Sequence, residues 1–177
     1  MKFIETRLKG AYIIKLEKIE DERGFFARSF CKNEFSKYSL KNEIVQCNIS
    51  YNKKKNTLRG MHFQIRPYAE TKIVTCISGA IFDVIIDLRK DSATYCHWIS
   101  VELTEDNGTM LYIPEGFAHG FQTLTNNSTV YYQMTEFFHP EAARGVRWDD
   151  PAFGIDWPEA DNRIISKKDW EYIEFKI

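Results

Sequence analysis

Four short segments of the chain set reactive side chains beside turn residues. They are Asp21-Glu22-Arg23-Gly24-Phe25-Phe26, Leu58-Arg59-Gly60-Met61-His62-Phe63-Gln64 followed by Lys72, Ile113-Pro114-Glu115-Gly116-Phe117-Ala118-His119-Gly120-Phe121, and Val130-Tyr131-Tyr132-Gln133-Met134-Thr135. Histidine exchanges protons near neutral pH, and a tyrosine hydroxyl can return one. Lysine and arginine hold anionic oxygens, arginine through a fork that fits phosphate. Read singly, each residue has a structural role as well. Arg-Gly marks a turn, a strand histidine or tyrosine packs, and a lysine at a strand start is solvated. Taken singly, none of these signals is specific.

The elements that position these segments read as short strands. Residues 72–88 hold two runs rich in β-branched residues around Ser78-Gly79, which predicts a hairpin. In the second run Phe82, Val84, Ile86 and Leu88 share one face, and Ile81, Asp83, Ile85 and Asp87 the other. Further strands are expected over 44–51, 58–64, 98–103, 110–113, 120–124 and 129–138, with turns at Asn107-Gly108 and Pro114-Glu115-Gly116. Short helices are expected over 32–41 and 167–173. Many short, closely spaced strands predict an all-β antiparallel sandwich or barrel whose mouth can hold a ligand. Tyr132 shares a face with Val130 and Met134. His62 shares one with Leu58 and Gln64 but not with Arg59, and Gly60 is a candidate bulge that would bring both to one face.

Composition bounds the function. The chain has 177 residues, a length that predicts one domain spanning 1–177, and 44% hydrophobic with 28% charged residues describes a folded globular protein. Twenty-four Lys and Arg against 25 Asp and Glu leave a net charge of -1, with no field to attract nucleic acid or anionic lipid. Neither a secretory signal nor an apolar run long enough to cross a bilayer is present, which predicts a cytoplasmic protein. Cys31, Cys47, Cys76 and Cys96 are scattered, form no C-x-x-C, and are expected as reduced thiols.

The motifs DERGFF, QCN, TLRGMHFQ, IPEGFAHGF, VYYQMT, GIDWP and ISKKD, in this order, resemble the dTDP-4-dehydrorhamnose 3,5-epimerases. That family consists of cupin-like jelly-roll proteins. The resemblance implies a cupin-like antiparallel jelly-roll barrel with a few short helices. It also implies an isomerase of deoxysugar and O-antigen polysaccharide biosynthesis, acting on a nucleoside diphosphate joined to a 4-keto-6-deoxyhexose. The ketone acidifies the hydrogens on ring carbons 3 and 5. A base removes one, and an acid on the opposite face returns it with inverted configuration. The resemblance makes His62 the base, Asp169 its orienting carboxylate and Tyr132 the acid. Lys72 stabilises the enolate oxygen, with Asp83 positioning it. Arg23, Phe26, Arg59 and His119 hold the sugar and diphosphate side of the substrate, and Gln46 and Asn48 reach the nucleoside. No cofactor or metal is implied. A homodimer is, with the N-terminal segment of one subunit reaching the other's site.

Some positions depart from the family pattern. Where many members read D-x-R-G-x-F-x-E, this chain has Arg28, a donor in place of a carboxylate. Ring nitrogen 3 of thymine donates, whereas that of cytosine accepts, so Arg28 opens CDP as well as dTDP as the nucleotide. A second acidic position reads Ala143, and Phe137-Phe138 stand where tyrosines are common. Three alternatives are weighed against the epimerase. A metal-dependent cupin needs His-x-His, but the chain reads His62-Phe63-Gln64, leaving His62, Glu70 and His119 as a poor ligand set. A non-catalytic sugar-nucleotide binder would not need His62, Lys72, Tyr132 and Asp169 together. A relative acting at a single carbon keeps the same proton-transfer residues.

Overall fold

A computed structural model describes residues 1–176. Fourteen strands and two short helices follow one another as β1 (Lys2–Glu5), β2 (Tyr12–Lys15), β3 (Ile19–Asp21), β4 (Gly24–Phe26), α1 (Lys32–Lys37), β5 (Gln46–Asn52), β6 (Thr57–Gln64), β7 (Lys72–Ser78), β8 (Ala80–Asp87), β9 (Trp98–Thr104), β10 (Thr109–Ile113), β11 (Phe117–Thr123), β12 (Ser128–Met134), β13 (Ala143–Gly145), β14 (Ile164–Ile165) and α2 (Lys167–Trp170). One sheet runs β1-β2-β10-β7-β12-β5 and the second β13-β6-β11-β8-β9, with β14 also on β6; β3 and β4 form a separate ribbon. This is the antiparallel jelly-roll architecture expected from the sequence.

The hairpin expected at Ser78-Gly79 is absent. β7 pairs with β10 and β12 in one sheet, while β8 pairs with β9 and β11 in the other. The turn is real, but it is a corner that carries the chain between sheets. Gly79 sits at φ +73, and a Cβ there would lie 2.6 Å from the Thr125 hydroxyl, so glycine is required. The reason for the split is that both faces of β8 are apolar. Ile81 and Ile85 pack between the sheets with Val74, Leu111, Phe121 and Val130. Val84 and Ile86 pack outward against Met61, Val146 and Phe153. A strand buried on both sides needs a cover on each, at about 1.5–3 kcal/mol of burial per large side chain. The opposing sheet provides one cover and the C-terminal segment provides the other.

The strands expected between residues 44 and 138 fall close to β5–β12, apart from their ends, whereas β1–β4, β13 and β14 lie where the sequence reading placed no strand. β12 stops at Met134 rather than at 138, and β11 begins three residues earlier than 120, at Phe117. Helix α1 ends at Lys37, with Ser39 just beyond at φ +56. All four cysteines are free, and burial pushes the Cys76 thiol up to about 11.

Candidate active site

Strands β6 and β11 build the floor of a cleft between the two sheets. His62 lies opposite His119, but the next partners are Arg59 and Phe121. Two residues of β6, Gly60 and Met61, therefore face the single Gly120 of β11, which is a bulge. The bulge expected at Gly60 flips the parity of β6 and turns Arg59 and His62 into the same cavity. Gly60 has φ +125, and a Cβ on it would approach the Gly120 Cα to 2.5 Å. The glycine pair lets the two backbones close at the point where the side chains must diverge.

Asp169 reaches His62 from far along the chain. β14 pairs in parallel with β6, Ile164 against Thr57 and Ile165 against Leu58. The chain then enters α2, where the Ser166 hydroxyl accepts from the Asp169 N–H. The Asp169 carboxylate takes the His62 Nε2 at 2.6 Å and the Gly60 N–H at 3.2 Å. Burial pushes this carboxyl up, yet the His62 hydrogen bond and charge, helped by Gly60 and Ser166, hold it below its ordinary value. A buried carboxylate on one ring nitrogen fixes the imidazole's tautomer and orientation, leaving Nδ1 for the cleft.

The carboxylate partners of Lys72 and His119 correct the sequence expectation. Asp83 does not hold Lys72. Its Oδ1 lies 2.7 Å from His119 Nε2, forming a second His–Asp pair. Lys72 instead pairs with Glu70 at 2.7 Å. Residue alternation places Asp83 inside the barrel but does not choose between Lys72 and His119 as its neighbour. Asp83 is on β8, whose hydrogen-bonded neighbour is β11, the strand carrying His119; Lys72 belongs to β7 in the facing sheet. Burial drives the Asp83 carboxyl up, opposed by the charge and hydrogen bond of His119 and by the charge of Lys72.

Tyr132 enters from the opposite sheet, on β12 between β5 and β7. Burial raises its phenol pKa against a smaller opposing effect of Arg59, so it holds its proton at neutral pH. His62, Lys72 and Tyr132 line both halves of the cleft. One half, about 480 Å³, adds Arg59, His119, Phe121 and Ser50. The other, about 400 Å³, adds Gln46, Asn48, Glu70, Arg144, Lys168 and Tyr172. The Arg59 guanidinium is held by Asn52 at 2.7 Å, and the Gln46 amide bonds Asn48 and the Phe138 N–H.

Arg23, Phe26 and Arg28 lie outside this cleft. Phe26 is 70% exposed on the β3–β4 ribbon, Arg23 pairs with Asp21, and Arg28 pairs with Glu34 at 2.8 Å. Sequence reasoning missed Glu70 as the partner of Lys72, together with Lys168 and Tyr172 as lining residues. Lys168 adjoins Asp169 in ISKKD; Glu70 entered the sequence reading only as a member of a poor metal-ligand set, not as the partner of Lys72. Among the described residues no group of three or more His, Cys, Asp or Glu side chains is arranged to hold a metal ion.

The cleft therefore brings a carboxylate-backed imidazole and a protonated phenol from facing sheets toward one space, with an ammonium beside them. Such a set can take a proton from an acidic carbon, stabilise the resulting oxyanion and return a proton from the other side. The family model described as dTDP-4-dehydrorhamnose 3,5-epimerase matches residues 5–176. A dTDP-4-dehydrorhamnose 3,5-epimerase of Methanothermobacter thermautotrophicus is 47% identical over 170 residues, covering 95% of this chain and 91% of the relative. The crystal structure of the Bacillus anthracis dTDP-4-dehydrorhamnose 3,5-epimerase with TDP and PPi bound superposes with a TM-score of 0.95 at 39% identity, covering 98% of this chain and 99% of the other. A Legionella pneumophila dTDP-6-deoxy-D-glucose-3,5-epimerase in complex with dTDP-4-keto-L-rhamnose gives 0.90 at 35%, covering 95% and 89%. On the fold, the cleft and this likeness along nearly its whole length, the chain belongs to the dTDP-4-dehydrorhamnose 3,5-epimerase family.

Proposed function

We propose that the chain, as one catalytic domain, epimerises a nucleoside-diphosphate 4-keto-6-deoxyhexose at the carbons flanking the ketone. The observation that carries this reading is His62 on Asp169 at 2.6 Å facing the same cleft as Tyr132 and Lys72. His62 Nδ1 takes the proton from the ring carbon. Negative charge then builds on the ketone oxygen, which Lys72 stabilises. Tyr132 returns a proton from the opposite sheet, and so to the other face of the ring. Arg59, oriented by Asn52, and His119, oriented by Asp83, supply donors for the diphosphate and sugar.

The β3–β4 ribbon supports the assembly part of the reading. Ile19, Phe25 and Phe26 are each more than half exposed, and a ribbon of apolar side chains beside Arg23 and Arg28 suits docking on a second copy of the chain. The active species is then a cytoplasmic homodimer in which Arg23, Phe26 and Arg28 complete the neighbour's cleft. The relatives' names carry dTDP; the Arg28 guanidinium, a donor, also suits the acceptor at cytosine ring nitrogen 3.

The test is solvent exchange. In deuterium oxide, wild-type protein with a dTDP- or CDP-linked 4-keto-6-deoxyglucose is expected to incorporate deuterium at the carbons flanking the ketone. His62→Ala should slow this by at least ~100-fold. A wild type that exchanges neither sugar, or a His62→Ala variant that exchanges at the wild-type rate, refutes the assignment.

A further inference from the structure

Two buried carboxylates, Glu70 and Asp83, act on Lys72, and only one of them holds it. Glu70 Oε1 lies 2.7 Å from the ammonium, with the Glu70 side chain 3% exposed and that of Lys72 11%. The second Glu70 oxygen accepts the Gln64 N–H at 3.0 Å, which pins the carboxylate to the strand that carries His62. The second is Asp83, fully buried. Its Oδ1 is bonded to His119, while its Oδ2 has no hydrogen-bond partner. No ion pair within 4.0 Å joins Lys72 to Asp83. Asp83 thus keeps one carboxyl oxygen without a partner, while Lys72, whose charge acts on Asp83, is tied to Glu70.

We propose that Glu70 is a positioning residue that holds the Lys72 ammonium at the cleft wall, where it meets the ketone oxygen, against the pull of the free Asp83 oxygen beneath the floor. This rests on the epimerase reading above and adds to it the group that sets Lys72 in place. The charge balance fits. Asp83 is already paired with His119, so Lys72 lost to Asp83 would leave Glu70 as a buried, unpaired carboxylate, which is costly. With Glu70 ionised, the docked position is favoured. With a neutral side chain in place of Glu70, the unpartnered Asp83 oxygen is left to draw Lys72 away from the substrate. A displacement of about 1 Å in a positioned group costs up to about 100-fold in rate.

The experiment is a double-mutant cycle between Glu70→Gln and Lys72→Met, read by deuterium exchange and by product formation with dTDP-4-keto-6-deoxyglucose. Glutamine keeps an oxygen for the Gln64 N–H, so the loop stays anchored while the charge is removed. We expect Glu70→Gln to lower kcat by about 10–100-fold with KM near wild type. Binding of dTDP, which lacks the ketone, should be unchanged. In the Lys72→Met background the same substitution should have no further effect, because Glu70 acts only through Lys72. Glu70→Asp, which keeps the charge on a shorter stem, should recover part of the loss; if Glu70→Gln does not fold, Glu70→Asp is carried through the same cycle. A kcat within about twofold of wild type, or an equal loss with and without Lys72, overturns the proposal. Wild type that exchanges no deuterium would instead refute the epimerase reading itself, so the two failures are distinguishable.

Discussion

Replacing Asp169 by asparagine changes no volume, but it forces a choice on a group that now serves two donors. In the native cleft the carboxylate accepts from His62 Nε2 at 2.6 Å and from the Gly60 N–H at 3.2 Å. An asparagine has one oxygen and one NH2. If the oxygen stays on Gly60, the NH2 faces His62 Nε2, which must then accept. The imidazole proton moves to Nδ1, and the nitrogen facing the cleft loses the lone pair that takes the substrate proton. If the oxygen stays on His62, the NH2 opposes the buried Gly60 N–H, at a cost of about 1–3 kcal/mol. The productive tautomer is then reached in roughly one molecule in 5 to 150 by that cost alone. Loss of the negative charge that steadies the imidazolium adds to this, so kcat should fall by about 10²–10⁴-fold. Stability should change far less, because the α2 cap is made by the Asp169 backbone N–H and the Ser166 hydroxyl, which the substitution leaves in place. The assay is deuterium exchange into the 4-keto sugar alongside a denaturant melt. An Asp169→Asn variant that folds and exchanges within about threefold of wild type would show that the carboxylate does not set the tautomer, and the His62 mechanism would have to be abandoned.

Four further outcomes follow from the structure. Tyr132→Phe leaves the ring packed but removes the proton donor, so exchange of substrate hydrogen should outlast formation of inverted product by about 100-fold; equal loss of both would assign Tyr132 another role. Asp87 is buried, which raises its carboxyl, but Arg89, Ser92 and Thr94 outweigh burial and bring it from 3.8 to about 2. The folded value is depressed, so this stabilisation is present above the unfolded value and is lost as pH falls from about 4 toward 2. The denaturant-measured gap between wild type and Asp87→Asn should be about 2–3 kcal/mol at pH 7 and close over that window; a gap independent of pH would contradict this. Calorimetric competition should show wild type binding CDP at least as tightly as dTDP, with Arg28→Glu swinging the preference to dTDP by about tenfold, and light scattering should show a dimer at micromolar concentration. Tighter dTDP binding by wild type, an unchanged preference in the variant, or a fully active monomer would each count against the ribbon completing a partner's site.

Period-two alternation, turn residues and glycine positions carried much of this protein in readable form. They specify the strands from β5 to β12, the inward faces of Tyr132 and His62, and the bulge at Gly60, because these depend on neighbours within a few residues. The resemblance of the motifs added the pairing of His62 with Asp169, 107 positions apart, which no local pattern contains. Tertiary structure alone decided three things. It sent β7 and β8 to different sheets, because a strand apolar on both faces satisfies alternation equally well in a hairpin or across a sandwich, and only the covers available on each side settle which. It gave Asp83 to His119 and Glu70 to Lys72, because alternation tells which way a side chain points but not which strand lies beside it. It also left Arg23, Phe26 and Arg28 outside the cleft of their own chain, since the placement of a two-stranded ribbon depends on the surface it can dock against rather than on its own sequence.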